Sequence, residues 1–185
     1  MKAILRILFL IILCGNVSAQ KVTKFSLSNS NITQGLYRHI AIDNSTNYVW
    51  LCSNVGVSVW NGNAFQRFHT GNSSILSNFA SCVFIAGNEK WIGTNIGISM
   101  YNGSTWTNFD TSVHTNLRNI TSITKDLSGN VFVINGNDKV ILKYNGTTWT
   151  TVSYTSTATS AWSGLNNVFH TNGQVYVYGS YSKDL

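Results

Sequence analysis

The chain has 185 residues, a formal net charge of +6, 43% hydrophobic residues and only 10% charged residues. This apolar share is sufficient for a folded core, which excludes an intrinsically disordered chain. The basic residues are scattered along the sequence rather than clustered, which argues against a nucleic-acid-binding surface.

The first 19 residues have the pattern of a secretory signal peptide. Lys2 and Arg6 provide a basic start, a short apolar run follows, and small residues precede a predicted cleavage site before Gln20. The apolar run is too short for a permanent membrane span. A lipoprotein signal with Cys14 acylated is the alternative, although Leu13 stands where a small residue is usual. We therefore expect an exported protein that is periplasmic, attached to the cell surface or secreted.

An internal repeat organises the rest of the chain. Trp50, Trp91 and Phe132 are 41 residues apart, and Tyr176 follows 44 residues later. A period near 40 is typical of β-propellers, in which each blade has four short strands. We predict a single repeat domain over residues 20–185, with blades at about 31–70, 71–111, 112–155 and a partial blade at 156–185.

The local pattern within each repeat predicts antiparallel strands. Ile96, Ile98 and Met100 alternate with polar or small residues, which is the period of a half-buried strand. An aromatic-Asn-Gly triplet follows, and Asn102-Gly103 predicts a type I′ hairpin turn with positive φ at both residues. Gly62, Gly103 and Gly146 occupy this position in the three complete copies. The predicted fold class is therefore all-β, with about three and a half propeller blades of four antiparallel strands.

These motifs resemble the two-component-regulator type of β-propeller repeat. The second copy matches through Leu76-Ser77-Asn78, Trp91-Ile92-Gly93-Thr94 and Tyr101-Asn102-Gly103. The similarity covers about residues 31–178, with Phe132 in place of the usual Trp and Cys52-Ser53 in place of the Gly-Thr pair. The resemblance implies the ligand-sensing, extracytoplasmic part of a bacterial membrane-bound regulator.

The predicted ring is incomplete. Propellers close with at least about four full blades, and three and a half would leave apolar sheet faces exposed. We expect the chain to be a fragment with downstream domains, with self-association or another capping partner as the alternatives.

Candidate ligand-binding residues lie in the loops that enter the innermost strands, because such loops commonly line one mouth of a propeller channel. Arginine and aromatic side chains there suit a carbohydrate or peptide ligand. The predicted set is Tyr37, Arg38, His39, Asn78, Arg118, Asn119 and Trp162, with Phe79 beside Asn78.

The sequence offers little for catalysis. The four histidines lack metal-ligand spacing, and carboxylates such as Asp43 and Asp126 lie at predicted turns, where they bond backbone amides. We predict no catalytic residues, no metal and no cofactor. Cys52 and Cys82 are interpreted as two buried thiols, with a disulfide between them left open.

The leading functional hypothesis is a non-enzymatic, exported propeller segment that binds a ligand or a protein, as the sensory part of a larger regulator. The alternative is a secreted structural or adhesive scaffold. A propeller enzyme, such as a lyase or glycosidase, is less favoured because no convergent acid–base pair is visible.

Overall fold

The computed structural model describes residues 25–26, 28, 30–153 and 162–181. The predicted signal peptide and the Ser/Thr-rich segment at 156–160 lie outside these ranges. Within the described part of the chain no helix is long and apolar enough to cross a membrane.

The described residues form fourteen antiparallel strands in four sheets, each sheet built from consecutive strands. The first sheet contains β1 (Tyr37–Asp43), β2 (Tyr48–Ser53), β3 (Gly56–Trp60) and β4 (Phe65–Phe68). The second contains β5 (Ala80–Ala86), β6 (Glu89–Thr94), β7 (Gly97–Tyr101) and β8 (Trp106–Asp110). The third contains β9 (Ile120–Lys125), β10 (Val131–Asn135), β11 (Val140–Tyr144) and β12 (Trp149–Val152). The last is a hairpin of β13 (Trp162–Thr171) and β14 (Gln174–Tyr181).

The sheets pack face to face through their first strands. β1 contacts β5, β5 contacts β9, and β9 contacts β13, so these four strands form the inner wall of an open arc. One apolar cluster fills each of the three interfaces between successive sheets. The prediction of an all-β, partial β-propeller is confirmed.

The repeated aromatic residues provide the packing between sheets. Trp50 and Trp91 are 4% and 3% exposed, and each packs against the sheet that follows its own. Phe132 packs in the same way against the hairpin of β13 and β14. Tyr176, opposite Phe169 in that hairpin, is 42% exposed. One face of each sheet is thus aromatic because it must cover the next sheet.

The predicted type I′ turns are wrong. Tyr101 pairs with Trp106, so the second-sheet loop has four residues rather than two. Gly103 has a φ of 102°, but Asn102 is not among the residues with positive φ. The Asn102 Oδ1 instead accepts hydrogen bonds from the amides of Ser104 and Thr105, at 3.0 and 2.8 Å. The asparagine therefore closes the turn with its side chain, and only the glycine needs the left-handed backbone.

Both ends of the arc expose apolar side chains. Ile40 and Ile42 of β1 are 60% and 58% exposed, and Tyr178 of β14 is 51% exposed. Phe25, which precedes the first sheet, covers part of its outer face by packing on Trp60 at 4.7 Å between ring centroids.

Cys52 and Cys82 are free, buried thiols in successive interfaces: Cys52 lies in the cluster between the first two sheets and Cys82 in the cluster between the second and third. Cys52 lies on β2 and Cys82 on β5. Burial raises the pKa of Cys82 to about 12. Burial, with a smaller contribution from Cys82, also raises the pKa of Cys52.

Candidate functional site: the mouth of the arc

A cavity of about 210 Å³ opens where β5 and β9 begin and β6 ends. Its lining comes from the first three sheets, so it lies at one mouth of the arc and not within a single blade. The lining residues are Arg38, Phe79, Ala80, Ser81, Thr94, Asn95, Asn119, Ile120, Thr121 and Asn137. We call this the mouth cavity.

A series of backbone hydrogen bonds holds the mouth loops together. The Asn95 amide donates to the Phe79 carbonyl at 3.3 Å, and the Asn119 amide donates to the Asn95 carbonyl at 2.9 Å. The Gly136 amide then donates to the Asn119 carbonyl at 3.0 Å. Asn119 has a φ of 49°, a left-handed conformation that asparagine tolerates better than most residues. The rim is therefore preorganised by the backbone, which leaves its side chains available.

Arg38 is the only charged side chain among the described residues that line this cavity. It is exposed, and among the residues that the structure describes it forms no ion pair. Because none of these described lining residues is a carboxylate, the guanidinium favours an anionic group there.

Polar side chains surround this charge. The amide groups of Asn95, Asn119 and Asn137 have no side-chain hydrogen-bond partner within the described ranges. Phe79, 51% exposed, adds an apolar surface at the rim. The cavity therefore combines one cation, several amides and one aromatic ring, a set that can bind a carboxylate, hydroxyl groups and an apolar ring face.

The structure brings Arg38, Asn119 and Phe79 of the predicted set into this one cavity. The side chains of two others, Tyr37 and Asn78, form hydrogen bonds within the fold. The Tyr37 hydroxyl donates to the Thr33 carbonyl at 2.6 Å. The Asn78 Oδ1 accepts from the Thr70 amide at 2.9 Å.

The remaining predicted residues lie away from the mouth cavity, or their side chains are outside the part that the structure describes. The Arg118 Nη2 pairs with Asp138 Oδ2 at 3.0 Å. The His39 Nδ1 accepts from the Val83 amide at 3.4 Å, and His39 lines a different cavity along the inner strands. Trp162 begins β13, and its side chain lies outside the described features. Whether any of the seven residues binds a ligand stays a prediction.

Sequence reasoning missed Asn95 and Asn137. Both follow the second strand of a blade, in the loop that returns to the third strand. Asn95 lies 41 residues after Asn54, which occupies the same loop in the first sheet. The asparagine at this repeat position could therefore have indicated a polar rim.

The described carboxylates are bound to neighbouring groups. Asp43 forms a buried ion pair with Lys90 at 2.9 Å, and Glu89 accepts from Lys125 at 2.7 Å. Burial alone would raise the pKa of Asp43, but hydrogen bonds from Ser45 and Lys90 outweigh it and hold the pKa well below its usual value. Among the described residues no cluster of three or more His, Cys, Asp or Glu side chains could hold a metal ion.

No protein-family model matches the chain, and no curated protein matches it. Similar solved structures include an extracellular domain named as that of the hybrid two-component system BT3049 from B. thetaiotaomicron. It is 19% identical, with a TM-score of 0.71 over 88% of this chain and 23% of that one. The corresponding domain of BT4673 is 14% identical, with a TM-score of 0.50 over 83% of this chain and 27% of that one.

An enzyme is among the similar structures as well. A catalytically inactive virginiamycin B lyase from Staphylococcus aureus, solved with quinupristin, is 12% identical, with a TM-score of 0.64 over 86% of this chain and 53% of that one. The chain thus spans about a quarter of the first two of these structures and about half of the third. At these identities the likeness concerns the fold: the chain is a partial β-propeller similar to extracellular domains of hybrid two-component systems.

Proposed function

We propose that the chain is an exported, non-enzymatic ligand-binding propeller unit that forms the sensory part of a larger regulator. The observation that carries this proposal is the mouth cavity, in which Arg38 lies among three amide side chains and forms no ion pair with any residue that the structure describes. The similarity to extracellular sensor-type domains supports the sensory role, and the signal-peptide pattern of the first 19 residues supports export.

The chemistry of the lining supports a small acidic sugar or a peptide carboxylate as the ligand. Arg38 would bind the carboxylate through two parallel hydrogen bonds, which are stronger than neutral ones. The amides of Asn95, Asn119 and Asn137 would bind hydroxyl or peptide groups, and Phe79 would contact an apolar face. Because Arg38 is exposed, affinity should fall as ionic strength rises.

Calorimetric titration of the purified chain with glucuronate, galacturonate and short peptides tests this proposal. Arg38→Met should weaken binding roughly 10- to 100-fold, since it removes a charged hydrogen-bond donor. Arg67→Met is the matched control, because Arg67 lies on β4 and does not line the mouth cavity. Equal loss in both variants, or no saturable binding by the unaltered chain, would refute the mouth site and favour the structural or adhesive scaffold.

The sensory role has a separate test. An immunoblot of the native cells with an antibody to the second sheet should detect a product much larger than the 20.4 kDa of this chain. A native product no larger than 20.4 kDa would contradict membership of a larger regulator, even if the mouth cavity binds a ligand.

A further inference from the structure

The two ends of the arc expose apolar side chains that correspond to the two halves of one kind of interface. At the first sheet these are Ile40 and Ile42 of β1, which are 60% and 58% exposed. At the last hairpin they are Phe169, Tyr176 and Tyr178, which are 43%, 42% and 51% exposed. We call the first group the leading face and the second group the trailing face.

The leading face corresponds to surfaces that are buried elsewhere in the chain. Ile40 occupies in β1 the register position that Val83 occupies in β5 and Ile123 in β9. Val83 and Ile123 are only 3% and 6% exposed, because each packs against the sheet that precedes its own. Within the described ranges no sheet precedes the first one. The leading face is therefore the side of a blade on which a preceding blade packs.

The trailing face has the other half of this contact. Tyr176 occupies the register position of the three aromatic residues that join the earlier sheets, namely Trp50, Trp91 and Phe132. Each of those three packs against the sheet that follows its own. Phe169 stacks on Tyr176 at 5.5 Å and 15°, which enlarges the aromatic surface. In the part of the chain that the structure describes, no sheet follows the hairpin to cover it.

The outer part of the first sheet is covered from within the chain. The ring of Phe25 lies 4.7 Å from that of Trp60 on β3 and 5.3 Å from that of Phe65 on β4. In the next interface Phe68 of β4 makes the equivalent contacts with the second sheet, at 5.3 and 5.4 Å. Phe25 thus takes the place of an aromatic residue from the fourth strand of a preceding blade. The part formed by the first two strands, which contains Ile40 and Ile42, stays open.

This open part matches the trailing face in extent and in chemistry. It is two strands wide, and the hairpin of β13 and β14 is a sheet of two strands. Neither the leading face nor the trailing face contains a charged side chain, so their contact would bury no ionised group. Burial of their aliphatic and aromatic surface would be favourable. The chain therefore carries both partners of one further interface of the type that joins its own sheets.

We propose that the chain binds a second copy of itself end to end, with the trailing face of each copy packed on the leading face of the other. A head-to-tail contact of this kind either closes into a ring or continues as a filament. Each copy has four sheets, so two copies provide eight sheet positions, within the range of about four to eight blades that propeller rings contain. The expected product is a closed dimer with two identical contacts. This inference does not depend on the ligand of the mouth cavity.

Light scattering after size-exclusion chromatography of the chain without its predicted signal peptide tests the proposal. The unaltered chain should have twice the mass of one copy. Ile40→Lys and Tyr176→Lys should each give a monomer, because association would bury an unpaired charge. Both positions are exposed, so each variant should unfold at the temperature of the unaltered chain. Leu127→Lys is the matched control and should remain dimeric, because Leu127 is 87% exposed in the turn between β9 and β10.

A mixture of the two variants tests the end-to-end arrangement itself. Ile40→Lys retains an intact trailing face, and Tyr176→Lys retains an intact leading face. Neither variant should associate alone, but their equimolar mixture should form a dimer through one intact contact.

Three results would overturn the proposal. The first is a monomeric unaltered chain at roughly 0.1 mM, a hundred times a micromolar dissociation constant, which would leave both faces to a different partner. The second is a dimer that persists in either lysine variant. The third is a mixture of the two variants that stays monomeric at the same concentration.

Discussion

Replacing Lys90 by Met tests whether the ion pair between the first two sheets stabilises their packing. Lys90 Nζ lies 2.9 Å from Asp43 Oδ2, and the two side chains are 9% and 4% exposed. Methionine preserves most of the length of the aliphatic stem. The substitution therefore removes the charge and leaves the Asp43 carboxylate buried without a cationic partner.

The expected loss follows from what remains around Asp43. Removing one partner of a buried ion pair usually destabilises a protein by about 3–5 kcal/mol. The amide and hydroxyl of Ser45 still donate to Asp43 Oδ1, at 3.0 and 2.6 Å. We therefore expect the free energy of unfolding to fall by about 2–3 kcal/mol, or roughly 4–12 °C in Tm for a chain of this size.

Urea unfolding followed by tryptophan fluorescence measures this change, because Trp50 and Trp91 become exposed when the sheets separate. Lys125→Met is the matched control. Its partner is Glu89 at 2.7 Å, and these side chains are 24% and 36% exposed, so that pair should contribute only about 0–1 kcal/mol. A loss for Lys90→Met within about 0.5 kcal/mol of the control would show that burial does not govern the strength of these pairs.

The remaining predictions concern single features of the fold. Gly93→Ala should destabilise by about 1–3 kcal/mol in urea unfolding, because a Cβ there would lie 2.5 Å from Cys82 Sγ and 2.8 Å from Ile120 Cγ2 of the third sheet; a neutral result would mean that both side chains can move away at no cost. Asn102→Ala should lower the free energy of unfolding, measured by thermal unfolding, by about 1 kcal/mol. Asn102→Asp should lower it much less, since the aspartate keeps the oxygen that accepts the two amide hydrogen bonds of the turn. Neither Cys52 nor Cys82 should react with iodoacetamide at about pH 8 until the protein unfolds, because burial raises both pKa values; rapid labelling of the native protein would contradict their burial. The folded-state pKa of Asp43 is lowered, so its stabilisation is present above the unfolded value of about 3.9 and is lost as the pH falls below it. In Asp43→Asn the free energy of unfolding should therefore fall less steeply as the pH is lowered into the acid range. An unchanged pH dependence would contradict this.

Much of the fold could be predicted from the sequence because each blade is a local structure. The 41-residue period and the alternation of residues such as Ile98 predict strands that pair with their immediate neighbours. The positions of Trp50, Trp91 and Phe132 predict one aromatic face per sheet, and the structure buries all three between successive sheets.

The turns could be located but not described in detail from the sequence. The Asn-Gly pairs mark each chain reversal, yet the strand pairing places four residues in the loop. The side chain of Asn102 bonds two amides and so removes the need for positive φ at the asparagine. Hydrogen bonds from a side chain to the turn amides depend on the last residue pair of the two strands. The turn propensity of Asn-Gly alone does not determine that pair.

The sequence by itself determined a repeat of short antiparallel strands, the face of each sheet that carries the aromatic residues, and the loops at the mouth of the arc. Only the tertiary structure decided that Arg38 and Asn119 line one cavity while Arg118 pairs with Asp138. It also decided that Trp50 and Val59 line a cavity together with Lys90 and Tyr101 of the second sheet. The physical reason is that strand pairing is local and follows the pattern of each repeat, whereas cavities and ion pairs between sheets depend on side chains some 40 residues apart.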